Sequence, residues 1–396
     1  MPYPSRSWRC GAPGGNIRWG WGVARLVRTR LVVVGCVLAW VVACGDAAAD
    51  APAASATTTH SEPSTAPPPP ASAPPVREPR AVAEAGSWID LGHLGDRRHR
   101  PRDVRAWVPA HEEGARLPVL VVLDGQGSET WFRVPQTIAT LVAEGRIEPW
   151  IVLAVDSTAD RTRELGRTDA RFGRFLADVV LPAARERLPI REGRESTAIL
   201  GYSYGGLAAV AAGVGVPDTF GRVIAMSASL WVEQRAVIAR FERARTLPMR
   251  LWIDVGSREP DAEDLIPYMV GDARDLRDVA LRRGMVFGRD VGFDEALGEG
   301  HDMSAAGRRM RAALLFSLGD RDLSRETPTE LSITRYPAHG RRATHAIGAT
   351  YEGGAHLTFP EGLVEAHAGE TVLTRDIAHL DRPLSVRAFG LEARCD

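Results

Sequence analysis

Residues Ala198–Gly206 read AILGYSYGG, and the rest of the chain is best read outward from them. A short apolar run, Thr197 to Leu200, ends in Gly201-Tyr202-Ser203-Tyr204-Gly205. A run of small residues follows, Gly206-Leu207-Ala208-Ala209-Val210-Ala211-Ala212. The pattern predicts strand, sharp turn and helix, with a serine at the apex. Gly201 and Gly205 leave room for the strand and helix backbones to approach closely. Ser203 then lies at a helix N-terminus, where free N–H groups stabilise a developing negative charge. A glycine-rich turn that only packs a helix on a sheet has the same spacing, so the flanking segments must separate the two readings.

Those segments alternate between strands and helices. Trp88–Leu91 and Val104–Pro109 alternate like antiparallel strands. Pro118–Leu123 (PVLVVL) and Trp150–Val155 (WIVLAV) are continuous apolar runs, as expected for strands buried on both faces. Arg222–Ser227, Met249–Val255 and a stretch around Val286–Phe293 read as further strands. Helical spacing covers Pro135–Glu144, Phe172–Leu188, Asp261–Arg283 and a helix opened by His301 that runs to about Leu318. This order predicts an α/β fold with a mainly parallel central sheet covered by helices on both faces.

G-x-S-x-G between a strand and a helix resembles the nucleophile elbow of α/β-hydrolases, in which serine, acid and histidine follow in chain order. Past the next two strands the candidate acids are Glu259, Asp261 and Asp264. Glu259 is preferred because Gly256-Ser257-Arg258-Glu259 sits at a strand's carboxyl end, where such sheets do their chemistry. Asp254 lies within the strand and is expected to point elsewhere; Asp302 is a further alternative. His301, in Gly298-Glu299-Gly300-His301-Asp302, is the sole histidine between Ser203 and Pro337. It is read as general base toward Ser203 and general acid toward the leaving alcohol. Two oxyanion donors are expected, the Tyr204 N–H and one near Gly125-Gln126, with Asp124 stabilising that turn.

Several segments together resemble the putative-esterase family of α/β-hydrolases, the branch that includes enterochelin esterases and esterase D. They span about residues 88–318: Leu117-Pro118-Val119 leading to Leu123-Asp124-Gly125, Arg161-Thr162-Arg163-Glu164-Leu165, the elbow through Leu207, Phe220-Gly221, Ser227-Ala228-Ser229-Leu230-Trp231, Gly256–Glu259 and Gly300-His301-Asp302. The resemblance implies a serine hydrolase that cleaves carboxylic esters through an acyl-enzyme, with no metal or organic cofactor and a small-molecule ester as partner. A catecholate siderophore ester is the implied substrate. An acyltransferase on the same fold and a non-catalytic envelope binding protein are the alternatives. Departures cluster at the pocket: Glu299 replaces a glycine, Met303-Ser304-Ala305 replaces a tryptophan segment, and Tyr202 and Tyr204 flank the serine. Arg161 either binds an anionic or catecholate oxygen or pairs with Glu164 or another nearby acid. Trp131 and Trp231 are candidate substrate contacts, or ordinary core and rim residues; Tyr202, beside the serine, is a candidate for setting substrate choice.

Composition bounds the rest. All 49 basic residues are arginine, which excludes Schiff-base lysine chemistry and a Walker A lysine. The chain carries −1 and its first 43 residues carry +6, so the remainder is at −7, giving no reason to expect nucleic acid as a partner. Residues 1–43 read as a lipoprotein signal peptide: a basic region, the apolar run Leu31–Ala43, then Cys44 after Val41-Val42-Ala43, as in a bacterial lipobox. The implied partner is a membrane, through a lipid on Cys44, with the domain on the periplasmic or extracytoplasmic face of the bacterial cell envelope. Residues 44–85, rich in Ala, Pro, Ser and Thr, read as a disordered tether. The esterase domain is expected over 86–322 and a small β-rich appendage over 323–396. The appendage holds His339, His345, His356, His367 and His379, without metal-ligand spacing.

Overall fold

Short runs of aliphatic residues form the centre of the sheet. β3 (Val119–Leu123), β4 (Ile151–Val155) and β5 (Thr197–Tyr202) are buried at every position. A strand covered on both faces has no use for polar alternation, which explains their unbroken apolar sequences. The computed structural model describes residues 85–259, 269–336, 344–360, 366–368, 371–373, 384–389 and 391–395. The segments expected to be signal peptide and tether, residues 1–84 with Cys44 among them, and the candidate acids Asp261 and Asp264 lie outside these residues.

Among the described residues, eight strands form one sheet in the order β1-β2-β4-β3-β5-β6-β7-β8. β1 (Gly86–Leu94) and β2 (Arg102–Pro109) are antiparallel to each other, and β2 is antiparallel to β4. From β4 onward every neighbouring pair is parallel, through β6 (Arg222–Met226), β7 (Arg250–Gly256) and β8 (Val291–Ala296). The protein therefore has an α/β fold with a mainly parallel sheet. The strand order reverses around β3, so the carboxyl ends of β3, β5, β6, β7 and β8 open toward one rim, where ligand chemistry occurs in sheets of this kind.

The helices are α1 (Val134–Ala143), α2 (Arg161–Leu165), α3 (Arg171–Phe175), α4 (Leu181–Arg187), α5 (Tyr204–Gly215), α6 (Val232–Arg243), α7 (Met269–Arg282) and α8 (Met303–Leu318). The helix expected over Phe172–Leu188 is interrupted by a π turn at Leu176–Val180. Leu181 N–H bonds the Leu176 carbonyl, five residues back, and Pro182 has no N–H to restore the α pattern. The strand expected near Val286 begins only at Val291, because Val286–Asp290 is a turn in which the Val286 N–H donates to the Asp290 side chain (2.9 Å). α8 opens at Met303 rather than His301: Asp302 caps it, accepting from the Ala305 N–H at 2.8 Å.

The C-terminal region contains a three-stranded antiparallel sheet, β9 (Glu330–Tyr336), β10 (Thr344–Thr350) and β11 (His356–Phe359), and a four-stranded one, β12 (Ala366–Ala368), β13 (Thr371–Leu373), β14 (Leu384–Ala388) and β15 (Leu391–Cys395). β11 lies along β8, with the Glu295 N–H donating to Thr358 Oγ1 at 3.0 Å. Leu331, Ile347, Leu357 and Phe359 join the same hydrophobic core as the large sheet.

Candidate active site

The site grows from the end of β5. Ser203 has φ 60° and ψ −118°, a conformation that costs a non-glycine residue of order 1–3 kcal/mol. Surrounding contacts hold it there: the Ser203 N–H donates to the Met226 carbonyl (3.0 Å), and the Ser203 carbonyl accepts from the N–H groups of Leu207 (3.1 Å) and Ser229 (3.0 Å). Gly201 is obligatory, since a Cβ there would lie 2.2 Å from the Gly205 carbonyl. The turn thereby lifts the Ser203 hydroxyl to the rim at the N-terminus of α5.

His301 and Glu259 reach it from the loops after β8 and β7. His301 Nε2 lies 3.1 Å from Ser203 Oγ, and Nδ1 lies 3.0 Å from Glu259 Oε2. Glu259 is 2% exposed. Its Oε1 accepts from the Gly256 N–H (2.7 Å) and from the Ser227 hydroxyl. Ser203 Oγ also lies 3.3 Å from Ser229 Oγ. With Nδ1–H on the carboxylate, Nε2 is free to accept a proton from Ser203. The imidazole is half-buried, its side chain 29% exposed.

Tyr204 is the first residue of α5, and Gly125 and Gln126 open the short 3-10 turn Gly125–Gly127 after β3. N–H groups in these positions have no acceptor within their own turns. Gly125 packs directly on β4: a Cβ there would meet the Val155 nitrogen at 2.4 Å. Asp124 begins this turn in the left-handed region (φ 54°), and its buried carboxylate takes two bonds from Arg161, from Nε at 2.6 Å and Nη2 at 2.7 Å. Ser157 donates to the same carboxylate, and the Ser157 N–H donates to Gln126 Oε1 at 3.0 Å. Arg161 is thus paired with Asp124. Glu164 belongs to Arg102, at 2.7 Å.

Tyr202, expected at the pocket wall, is buried instead. Its ring stacks on His301 with centroids 4.9 Å apart, and burial, with the nearby Glu259 carboxylate, pushes its phenol well above the ordinary range. Trp231 is half-buried against the Tyr204 ring at 6.2 Å. Trp131 is 41% exposed. Its indole covers Gly127 beside the Gly125–Gln126 turn, and its carbonyl abuts Gly307 in α8. Met303 and Leu297, near His301 in sequence, are also exposed. No group of acids, histidines or cysteines among the described residues could hold a metal ion.

Three residues behind Glu259 were not picked out from the sequence as site residues: Ser227, Asp254 as an ion-pair partner, and Arg309. Arg309 Nη1 lies 3.3 Å from Asp254 Oδ1 and 3.5 Å from Glu259 Oε1, while Nη2 donates to Ser227 Oγ at 2.7 Å. A signal existed in the pattern of α8: Arg309 falls three residues after Ala306 and four before Ala313, on the apolar face.

Residues 96–272 match the family model described as "Putative esterase". The chain is 37% identical over 141 residues to the iron(III) enterobactin esterase of Dickeya dadantii, covering 34% of this chain and 32% of that protein. It is 26% identical over 175 residues to the iron(III) enterobactin esterase of Escherichia coli K12, covering 42% and 44%. The chain thus spans less than half the length of these curated relatives. Among solved structures, the enterobactin esterase from Shigella flexneri in the presence of enterobactin superimposes with a TM-score of 0.47 at 20% identity, covering 58% of this chain and 59% of that one. A ferulic acid esterase gives 0.49 at 17% identity, covering 59% and 98%. The resemblance to the putative-esterase family is therefore present in the matched segment, which carries the elbow, the Asp124–Arg161 pair and Glu259.

Proposed function

We propose that this relative of the putative-esterase family is a serine hydrolase of carboxylic esters. The observation that carries the reading is the continuous hydrogen-bonded line from Ser203 Oγ through His301 to the buried Glu259. Ser203 attacks the ester carbonyl while His301 Nε2 takes its proton. The tetrahedral oxyanion forms against the N–H of Tyr204 and an N–H of the Gly125–Gln126 turn. His301 then returns the proton to the leaving alcohol, and water releases the acyl group from Ser203 by the same steps in reverse order.

For the substrate we propose an aromatic ester of the catecholate or feruloyl type. Trp131 and Met303, each 41% exposed, give the rim an apolar and aromatic character that suits such a group. The relatives named as enterobactin esterases support the same class. We further propose envelope localisation through a lipid on Cys44, a reading supported by the leader sequence.

The test is a panel of short-acyl, feruloyl and catecholate esters, assayed with wild type and Ser203→Ala. Wild type is expected to prefer the aromatic esters, and the variant to lose about 10³-fold or more in kcat. Hydrolysis at the wild-type rate by Ser203→Ala would refute the mechanism.

A further inference from the structure

We propose that Arg309 is a positioning residue for the triad acid, acting on Glu259 both directly and through the Ser227 hydroxyl; this rests on the hydrolase reading above. Arg309 is 5% exposed and lies on the face of α8 that buries Ala306, Met310 and Ala313. An arginine in such a place is costly unless its charge and donors are matched. Its charge is met by the acid side of the candidate triad, through ion-pair contacts at Nη1 and a hydrogen bond at Nη2. Nη1 faces Asp254 at 3.3 Å and Glu259 at 3.5 Å, and Nη2 donates to Ser227 at 2.7 Å.

The Ser227 bond gives the arrangement a direction. Since Arg309 donates to Ser227 Oγ, the Ser227 proton points to Glu259 Oε1. That oxygen already accepts the Gly256 N–H at 2.7 Å. With Oε1 occupied on three sides, Oε2 is the oxygen presented to His301. Ser227 is held for this in a left-handed conformation, φ 43°, as Ser203 is one strand away. Asp254 has its own anchor, accepting from Trp252 Nε1 at 2.9 Å. One cation thus serves two buried carboxylates. Without it Glu259 loses both the cation beside Oε1 and the anchored Ser227 hydroxyl, is free to turn from His301, and the support that orients the imidazole is withdrawn.

A purely architectural role, tying α8 to β7, predicts lost stability without a specific kinetic signature. The positioning role predicts that Arg309→Met lowers kcat about tenfold or more with KM within about twofold, because the acid acts on the reacting imidazole and not on substrate binding. Arg309→Lys keeps the charge but replaces the fork by a single ammonium, and is expected to fold and to lose less than Arg309→Met. In a Glu259→Gln background, Arg309→Met should cost less than about twofold, since the residue acts through Glu259. A kcat unchanged in Arg309→Met, or an equal loss with and without Glu259, would overturn the proposal. One readout needs no substrate: the low-field proton NMR signal of His301 Nδ1–H, held on Glu259, should be present in wild type and Arg309→Lys and lost or shifted upfield in Arg309→Met. Its persistence in Arg309→Met refutes the positioning role. Wild type that hydrolyses no ester while the signal still depends on Arg309 refutes the hydrolase reading alone.

Discussion

Asp294→Asn should make this protein more stable, and increasingly so as the pH rises. Asp294 sits on β8 in register with Asp254 on β7, and both are buried. Burial, with the Asp254 carboxylate adding to it and Arg309 opposing, pushes the Asp294 carboxyl from 3.8 to about 7. A carboxyl raised on folding holds its proton in the native state where the unfolded chain has lost it. Its contribution is therefore fully present below about pH 4 and is lost as the pH climbs to about 7. At about 1.36 kcal/mol per unit, roughly 4 kcal/mol is lost over that window. Asparagine keeps an acceptor for Thr358, which donates to Asp294 Oδ1 at 3.3 Å, and has no proton to lose. Urea unfolding at a series of pH values should show the variant gaining on wild type by about 3 kcal/mol between pH 5 and pH 8, then levelling off. A gain that is the same at both pH values would refute the assignment of the buried proton to Asp294.

Gly201→Ala places a methyl group 2.2 Å from the Gly205 carbonyl. The elbow must open, so fluorophosphonate labelling of Ser203 should slow by about 10²-fold, with about 1–3 kcal/mol lost in urea unfolding. Arg161→Met leaves the Asp124 carboxylate buried with only Ser157 as a side-chain donor; because Arg161 is partly exposed, the expected loss is about 1–3 kcal/mol, short of a fully buried pair. Adding Asp124→Asn should recover most of that stability in the same assay. Recovery failing in the double variant would show that Arg161 acts elsewhere.

The parts of the fold legible in the sequence were those whose burial is uniform. β3, β4 and β5 are apolar throughout because both faces are covered, and the elbow declares itself because close backbone approach admits only glycine at position 201. The boundaries that sequence reading missed depend on side chains satisfying the backbone: the Asp290 turn that delays β8, the Asp302 cap that delays α8, and Pro182, which converts a turn of helix to π. In the site, Ser203, His301 and Glu259 were legible from chain order and strand ends. Tyr202 was misplaced because adjacency to the serine along the chain does not give the side chain's direction; it lies beneath the imidazole. Arg309 stayed hidden because every cation in this chain is an arginine, so residue type alone does not separate a buried one from a surface one.

The contact between β11 and β8 orders events in time. A polypeptide emerges from its N-terminus, so Ser203, Glu259 and His301 are all available before Thr358 has been made. Yet Thr358 supplies the acceptor for the Glu295 N–H and the donor for Asp294, both on the outermost strand of the large sheet. A nascent chain can assemble the reacting groups while the flank of its last strand is still wet and its buried acid still ionised. The two bonds that Thr358 makes to β8 can form only once residue 358 has been added.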